Sequence, residues 1–295
     1  MARRTPRKRF SKRSIFHAPL EFHIDRADLT RKRFPYHEHE FSELVVILGG
    51  ESMHITEDGE HPLSAGDVFV FNGRHAHGFR NARRLLLYNV MYSPDRYLGR
   101  GEELRSLPGY HALFVLEPRY RKHHRFRSKL HLSMEGLARA EQVLASLRDE
   151  YDARSPGYEA AIRALFLQLV VFLSRAYGES RTDASRSLLR MGQVMSFMES
   201  NSHAPLRLPA LARRAHMSTN NFLRVFKEAT GHTPIEYLIR LRIMRACDLL
   251  RTTDEKITSL ALRCGFSDSN YMAKVFARVM GMSPREYRRR NARRA

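Results

Sequence analysis

Near the C-terminus, one residue pattern occurs twice, with its two copies fifty positions apart. The first copy runs from Phe226 to Tyr237 and the second from Phe276 to Tyr287, and both read Phe-x4-Gly-x-[Ser/Thr]-Pro-x-Glu-Tyr. A repeat of this length indicates a duplicated supersecondary unit. Each copy follows an apolar-Ala pair, Leu211-Ala212 or Leu260-Ala261, and a short break. This order of parts predicts two helix-turn-helix units.

Apolar residues at helical spacing predict five helices in this region. In each unit a short leading helix precedes a second helix, and a longer helix joins the units. Four of them have the expected ranges 208–215, 219–229, 235–252 and 257–263, and the second helix of the second unit follows its N-cap. Ser218 is the expected N-cap of one second helix, and Ser267 or Asp268 of the other. The joining helix would span roughly 27 Å, close to the roughly 34 Å between successive major-groove faces of DNA.

The second helix of each unit has one apolar face and one mostly polar face. The apolar faces are expected to be buried and consist of Phe222, Val225, Phe226 and Ala229, and of Met272, Val275, Phe276 and Val279. The opposite faces, which we expect to contact DNA, carry Thr219, Asn220, Leu223, Arg224 and Lys227, and Ser269, Asn270, Ala273, Lys274 and Arg278. Asn can bond an adenine edge, Arg a guanine edge, and Lys or hydroxyl groups the phosphates.

The charge of the chain favours a polyanionic partner. The formal net charge is +20, and residues 186–295 hold 21 Lys and Arg against 8 Asp and Glu. Charge alone does not separate DNA from RNA or an anionic membrane, whereas two capped helix-turn-helix units favour sequence-specific binding of double-stranded DNA. The alternatives are an all-α bundle whose charges are merely solvated and an architectural protein that binds DNA without sequence preference.

Membrane and secretion signals are not predicted. No run of about 18 apolar residues occurs, and the Arg- and Lys-rich N-terminus has no apolar core behind it, unlike a signal peptide. Cys247 and Cys264 are the two cysteines of the chain. So few cysteines indicate no disulfide framework, and they fit the reducing cytoplasm.

The first half of the chain has the pattern of a small β-rich domain followed by helices. From residue 16 to residue 90, short apolar runs alternate with turns such as Gly49-Gly50, which favours a barrel or sandwich. Helices are expected over 134–151 and 158–177. The predicted division is a disordered basic arm at 1–14, a β domain at 15–131, a helical segment at 132–178, a linker at 179–187 and the DNA-binding domain at 188–295.

The duplicated pattern, together with the segment from Cys264 to Tyr271, resembles the AraC/XylS family of transcription regulators. Ala277 departs from the Lys or Arg common there. Residues 67–69 and 108–112 further resemble the rhamnose-responsive branch. The resemblance implies a multidomain α+β chain, with an N-terminal cupin domain (a jelly-roll-like β-barrel with accessory helices) and a C-terminal all-α double helix-turn-helix. It also implies a homodimer formed through the helices at 134–177, contact with RNA polymerase, and activation of transcription.

Two segments of the first half resemble the cupin motifs. Residues 36–50 match His-x-His-x3-Glu-x6-Gly, and residues 66–81 resemble the second motif, although Asn72 and Arg74 stand where Pro and Gly are expected. The resemblance implies a metal quartet of His37, His39, Glu43 and His77. Imidazole and carboxylate ligands suit Zn, Fe, Mn or Ni, so a divalent transition metal is the cofactor to test. The alternative is that these four side chains bond a polyol effector without a metal.

A small-molecule effector, with a sugar as the leading candidate, follows from the family resemblance. A sugar site needs aromatic side chains and several hydrogen-bonding groups. The candidate effector-binding residues are Phe34, Tyr36, His37, His39, Glu43, His75, His77, Arg80 and Tyr88. We therefore predict a cytoplasmic regulator rather than an enzyme. The competing class is a metal-dependent cupin enzyme fused to a DNA-binding module.

Overall fold

The computed structural model describes residues 8–16, 20–30, 36–57, 59–73, 75–98, 102–119, 129–180 and 182–291. The chain divides into two compact units, Met1–Gly192 and Gln193–Ala295. The predicted linker at 179–187 is wrong in its second half, because a helix begins at Asp183. Its polar composition is that of a helix start: the Thr182 hydroxyl accepts a hydrogen bond from the Ser185 amide at 3.2 Å.

The first unit is built on a sheet of eight strands. They are β1 (Lys8–Phe10), β2 (Phe22–Asp28), β3 (His37–His39), β4 (Ser42–Thr56), β5 (Gly59–Ser64), β6 (Asp67–Asn72), β7 (His77–Tyr92) and β8 (Leu130–His131). The path of pairing is β1-β3-β7-β4-β6-β8, with β2 on β7 and β5 on β4. The sheet-rich domain is confirmed, but within the described ranges the sheet does not close as a barrel. The path ends at strands of three and two residues, which offer too few backbone bonds to join its two ends.

Strands β4 and β7 are long because each bonds different partners along its length. The first part of β4, Ser42–Val46, pairs with β6, and its last part, Glu51–Thr56, pairs with β5. The register between β4 and β7 shifts from Ile47 to Met53, as at a β-bulge. Gly50 lies there at φ 78°, and a Cβ at this position would collide with the Arg84 backbone. A glycine is therefore needed for the change of register.

The prediction that residues 1–14 form a disordered arm is wrong for residues 8–14. Strand β1 pairs in parallel with β3, and Ser11 caps the short helix α1 (Lys12–Ile15). Arg9 donates to Glu40 at 2.5 Å, and the Phe10 ring lies 5.2 Å from the His37 ring. The open edge of β3 supplies the backbone partners that a basic segment lacks by itself. Residues 1–7 lie outside the described residues.

The other elements among the described residues of the first unit are helices. They are α2 (Pro94–Tyr97), α3 (Glu102–Arg105), α4 (Pro108–Tyr110), the π-helical α5 (His111–Leu116), α6 (Met134–Ala153) and α7 (Tyr158–Gly178). Helices α6 and α7 pack on each other, and α4 crosses α7 where a side chain at Gly109 would overlap the Ser174 carbonyl. Helix α7 is long and apolar enough to span a membrane by composition. Its buried face, which includes Ile162, Phe166 and Leu173, is that of a core helix.

The described elements of the second unit are all helices. Its helices, beginning with the one that crosses the unit boundary, are α8 (Asp183–Ser200), α9 (Leu208–Arg214), α10 (Thr219–Thr230), α11 (Pro234–Thr252), α12 (Ile257–Arg263), α13 (Ser269–Met280) and α14 (Pro284–Asn291). Ser218 caps α10 and Asp268, rather than Ser267, caps α13. Gly231 and Gly281 end α10 and α13 at φ 78° and 71°, a conformation that favours glycine. The four helix ranges predicted in the repeat are confirmed to within a few residues, and the fifth predicted helix is α13.

The predicted apolar faces form the cores of the two helix-turn-helix units. Phe222, Phe226, Met272 and Phe276 are fully buried. Val279 was expected in this core but is 37% exposed, because it lies in the last turn of α13, beyond the helices that cover Phe276.

Candidate functional site

Four side chains from three strands meet inside the first unit. His37 and His39 come from β3, Glu43 from β4 and His77 from β7, and their candidate ligand atoms all lie within 4.8 Å of one another. The Nε2 atoms of His39 and His77 each lie 3.0 Å from Glu43 Oε2, and 3.3 Å from each other. All four residues are at least 97% buried. The structure thus brings the predicted quartet together.

The surroundings of the quartet orient its ligand atoms. His39 Nδ1 lies 2.8 Å from the carbonyl of Phe41, and this bond assigns the proton to Nδ1 and leaves Nε2 free to act as a ligand. Asn89 donates to Glu43 Oε1, so the other carboxylate oxygen, Oε2, faces the histidines. His54 Nε2 lies 3.5 Å from Nδ1 of His77, on the side of the ring away from Glu43. Oriented imidazoles and a bonded carboxylate are typical of metal sites.

Burial and mutual contact set the charge of the quartet. Burial alone would raise the pKa of Glu43, but the bonded rings of His77 and His39 hold that pKa well below its usual range. Burial lowers the pKa of His77 to about 4, against the opposing effect of the Glu43 carboxylate. At neutral pH Glu43 is therefore ionised and His77 is neutral. These are the protonation states that metal ligands require.

The donor set fits a metal ion better than a sugar held by all four groups. Three imidazoles and one carboxylate are the ligands that divalent transition metals accept. A sugar ring cannot fit among atoms that lie within 4.8 Å of one another, whereas an ion with ligand bonds of about 2.0–2.2 Å can. The structure therefore favours the metal alternative at the quartet itself.

The other predicted effector-binding residues do not join the quartet. His75 and Arg80 are exposed, and Arg80 donates to Glu60 at 2.6 Å. Tyr88 is buried, but it neighbours Asn89 on β7, and successive side chains of a strand point to opposite faces of the sheet. Tyr36 is half-buried beside β1. Phe34 lies outside the described residues.

Two polar side chains that lie against the quartet, Asn89 and His54, were not predicted from the sequence. Asn89 interrupts the apolar run Leu85–Val90, and His54 belongs to a segment of β4 with alternating burial. A polar residue within an apolar strand indicates a buried hydrogen-bonding partner, so Asn89 carried a usable signal. His54 carried none, because its approach to His77 depends on the register after the bulge.

Helices α10 and α13, the second helices of the two helix-turn-helix units and hereafter called the recognition helices, present similar outward faces. Four of the predicted DNA-contacting positions correspond between the two copies and have the same burial: Thr219 and Ser269 are half-buried, Asn220 and Asn270 exposed, Leu223 and Ala273 half-buried, and Arg224 and Lys274 exposed. The fifth positions are both exposed but do not correspond, because Lys227 matches Ala277 and Arg278 matches Glu228. Arg224 bonds Glu228 and Asn221 on its own helix, each at 2.9 Å. None of the ten predicted DNA-contacting residues is buried, so each helix keeps its predicted face accessible.

Comparison with known protein families assigns both units. The AraC-like ligand binding domain model matches residues 21–198, more than half of the chain. The chain belongs to the AraC family. A helix-turn-helix domain model matches residues 211–290, so an AraC-type ligand-binding domain precedes an AraC-type DNA-binding domain, as predicted. The chain is therefore a transcription regulator with a double helix-turn-helix and a ligand-binding domain.

Individual AraC-family relatives align over most of this chain. The HTH-type transcriptional activator RhaS of Escherichia fergusonii is 32% identical over 266 residues, 88% of this chain and 89% of that protein. The activator RhaR of Klebsiella pneumoniae is 30% identical over 259 residues, 88% of each chain. Among solved structures, the DNA-binding domain of AdpA in complex with a target DNA is 35% identical, covering 36% of this chain and 96% of that one, with a TM-score of 0.34. The relatives named as activators support the prediction of a regulator rather than an enzyme.

Proposed function

We propose that this chain is a cytoplasmic transcription activator that reads promoter DNA with α10 and α13. The observation that carries the proposal is that the outward faces of the two helices agree in burial at four corresponding positions. Helix α11, with 19 residues, is about 28 Å long and joins them at roughly the spacing of successive major-groove faces. Asn220 and Asn270 are suited to adenine edges, Arg224 to a guanine edge, and Lys227 and Lys274 to phosphates.

Arg224→Ala is expected to relax specificity at one base position and to cost about 1–3 kcal/mol on the cognate site. The guanidinium is exposed and held by Glu228 and Asn221, so it is displayed without being part of the core. Fluorescence anisotropy on duplexes selected from a random library, and on their single-base variants, measures the effect. Arg251→Ala is the matched control, because Arg251 is also an exposed helical arginine paired with an acid, Asp248, but lies outside both recognition helices.

If the Arg224→Ala variant and the wild type show the same relative affinities for the single-base variants, Arg224 does not read a base. Equal affinity of the wild-type chain for selected and random duplexes would instead make it an architectural DNA binder.

We also propose that the quartet of the first unit holds a divalent transition metal. Support comes from the orientation of His39, the ionised Glu43 and the size of the space between the ligand atoms. When bound, such an ion would neutralise the buried carboxylate and link β3, β4 and β7. The residues themselves hold the ligand atoms in place and exclude water.

A sugar is the effector that we propose for the ligand-binding domain, on the resemblance to the rhamnose-responsive branch. Tyr36, His75 and Arg80 are the candidate contacts, since all three retain exposed surface. Transcription by purified RNA polymerase from a promoter carrying the selected site tests the sugar, the polymerase contact and the activation together. We expect one sugar of a panel of pentoses, hexoses and deoxyhexoses to raise transcription. A fall in transcription on adding a sugar would mean that the chain represses rather than activates when the sugar is bound. No response to any sugar would exclude sugars as the effector class.

A homodimer formed through α7 is the last part of the proposal. Ala164, Leu167, Val171 and Phe172 line a groove of about 560 Å³ along the side of α7 that faces away from its buried residues. Arg139, whose guanidinium lies 4.8 Å from the Phe172 ring, Arg175 and Glu179 also line it. A two-fold axis places the same surface on both partners, so the arginines of one copy can meet Glu179 of the other.

A further inference from the structure

A second pocket lies entirely within the DNA-binding unit. It has a volume of about 570 Å³ and is bordered by α11, by the turn between α12 and α13, and by the segment before α9. This volume is in the range of small-molecule sites. Most of its walls are apolar, and the main apolar side chains are Leu206, Ile235, Ile239, Leu262, Phe266 and Tyr271.

The rim of this pocket holds an unusual share of the exposed apolar surface. Five large apolar side chains are exposed among the residues that the structure describes, and three of them border the pocket. Leu262 is 66% exposed, Tyr271 47% and Ile235 46%. Apolar surface concentrated at one place indicates a binding site, whereas single exposed apolar residues do not.

The internal repeat shows that the helix-turn-helix fold does not require these apolar residues. Leu262 directly follows the apolar-Ala pair of its copy, Tyr271 lies five residues before the repeated Phe, and Ile235 directly follows the repeated Pro. The same three positions of the other copy are polar: Arg213, Asn221 and Arg285. Since both copies form the same helices and turns, the apolar residues at the pocket serve something other than folding.

A positively charged side chain without an acidic partner forms one wall of the pocket. Arg242 is half-buried, its Nε donates to the Ser202 carbonyl at 2.7 Å and its Nη2 to the Ala204 carbonyl at 2.9 Å. A side chain at Gly265 would approach Nε within 2.9 Å, so the glycine leaves room for the guanidinium. In the described part of the chain no carboxylate lies within ion-pair distance of Arg242. Burial lowers the pKa of this guanidinium.

We propose that this pocket binds a small organic carboxylate with an apolar body. The Arg242 guanidinium would pair with the carboxylate through its remaining N–H groups, since its two carbonyl bonds use only part of its five donors. The apolar body would cover Ile235, Leu262 and Tyr271. A half-buried charge without a counterion is unfavourable, so an anion gains more here than a neutral molecule of equal shape.

Such a ligand would also change DNA binding. The pocket joins α11 to Tyr271, which belongs to the recognition helix α13. A bound molecule would therefore limit the movement of one recognition helix against the other. This consequence rests on the proposed reading of DNA by α10 and α13, whereas binding of the carboxylate does not.

Isothermal titration of the full chain with sodium cinnamate and with sodium decanoate tests the proposal. We expect saturable binding of at least one of them, with cinnamate marking an aromatic and decanoate an aliphatic ligand class. Arg242→Gln should weaken binding about tenfold or more, because a charge-assisted hydrogen bond is lost. Leu262→Arg, which installs the residue of the other copy, should block the pocket. Arg240→Gln is the control, since Arg240 is exposed on the same helix but does not line the pocket.

Neutral cinnamamide should bind at least about fivefold more weakly than cinnamate. The proposal would be overturned by any of three results: neither carboxylate shows saturable binding, cinnamamide binds as tightly as cinnamate, or both pocket variants, Arg242→Gln and Leu262→Arg, bind as the wild type does. The proposal would also be overturned if Leu262→Arg converts a dimer to a monomer in sedimentation without added carboxylate. In that case the apolar rim of the pocket contacts a second copy of this chain. If cinnamate binds but selected and random DNA bind equally, the proposed function fails while this inference stands.

Discussion

Replacing Glu43 with Gln is expected to lower the affinity of the first unit for a divalent transition metal by more than about 100-fold, beyond the effect of losing an outer-shell partner. The reason is that Glu43 is the one anionic member of the quartet, and its Oε2 atom lies 3.0 Å from the Nε2 atoms of both His39 and His77. Titration of the metal-free chain with zinc, iron(II), manganese or nickel measures the affinity. The free energy of unfolding of the wild type should rise by about 2.7 kcal/mol when the free metal concentration is 100 times Kd. The rise for the variant at the same metal concentration should be much smaller, and thermal unfolding measures both.

Glu40→Gln is the matched control for this change. It makes the same substitution three residues away, but the Glu40 side chain is partly exposed and pairs with Arg9. Its metal affinity should equal that of the wild type. If the wild-type chain takes up no metal in the titration, or if Glu43→Gln binds it equally well, the quartet is a hydrogen-bonded cluster of the core and not a metal site.

Val171→Glu is expected to abolish the dimer at micromolar concentrations. Val171 is half-buried in the groove along α7, and a carboxylate there would lose its hydration when two copies meet, a cost that Arg139 and Arg175 in the same groove offset only in part. Removing a carboxylate from water costs several kcal/mol, and an ion pair formed in return often does not repay that cost. A two-fold interface contains the substitution twice, so the effect should exceed that of a single DNA contact such as Arg224. Sedimentation velocity of the two proteins across a concentration series measures the change.

Ala138→Glu adds the same charge to an exposed position on α6 that does not line the groove. This control should sediment as the wild type does. A dimer that survives Val171→Glu would place the contact between copies elsewhere on the chain, and a wild-type monomer at all concentrations would contradict the dimer itself.

The double helix-turn-helix could be predicted in detail because its signals are local. Helix caps such as Ser218 and Asp268, the glycines at 231 and 281, and apolar residues at helical spacing each act within one or two turns of the backbone. The repetition of the pattern provides a second test of each signal. The prediction that Val279 is buried was wrong, because its exposure depends on where neighbouring helices end.

The ligand-binding domain was predictable in class but not in detail. The spacing of His37, His39 and Glu43 resembled a known motif, yet their meeting with His77 depends on the pairing of β3 and β4 with β7. Partners from distant strands also order residues 8–15, which look disordered when their basic composition is considered alone. Tyr88 was predicted to bind the effector because an aromatic hydroxyl side chain suits a sugar. Its position on β7, next to Asn89, turns its side chain away from the quartet.

The amino-acid sequence by itself determined the duplicated DNA-binding unit, its capped helices and the face that each recognition helix exposes, because these depend on residues a few positions apart. The tertiary structure alone decided which side chains meet across strands and helices. It placed Asn89 against Glu43, left the groove of α7 open, and gathered Ile235, Leu262 and Tyr271 around a half-buried Arg242. Contacts of this kind depend on strand register and helix packing, which are properties of the whole folded chain.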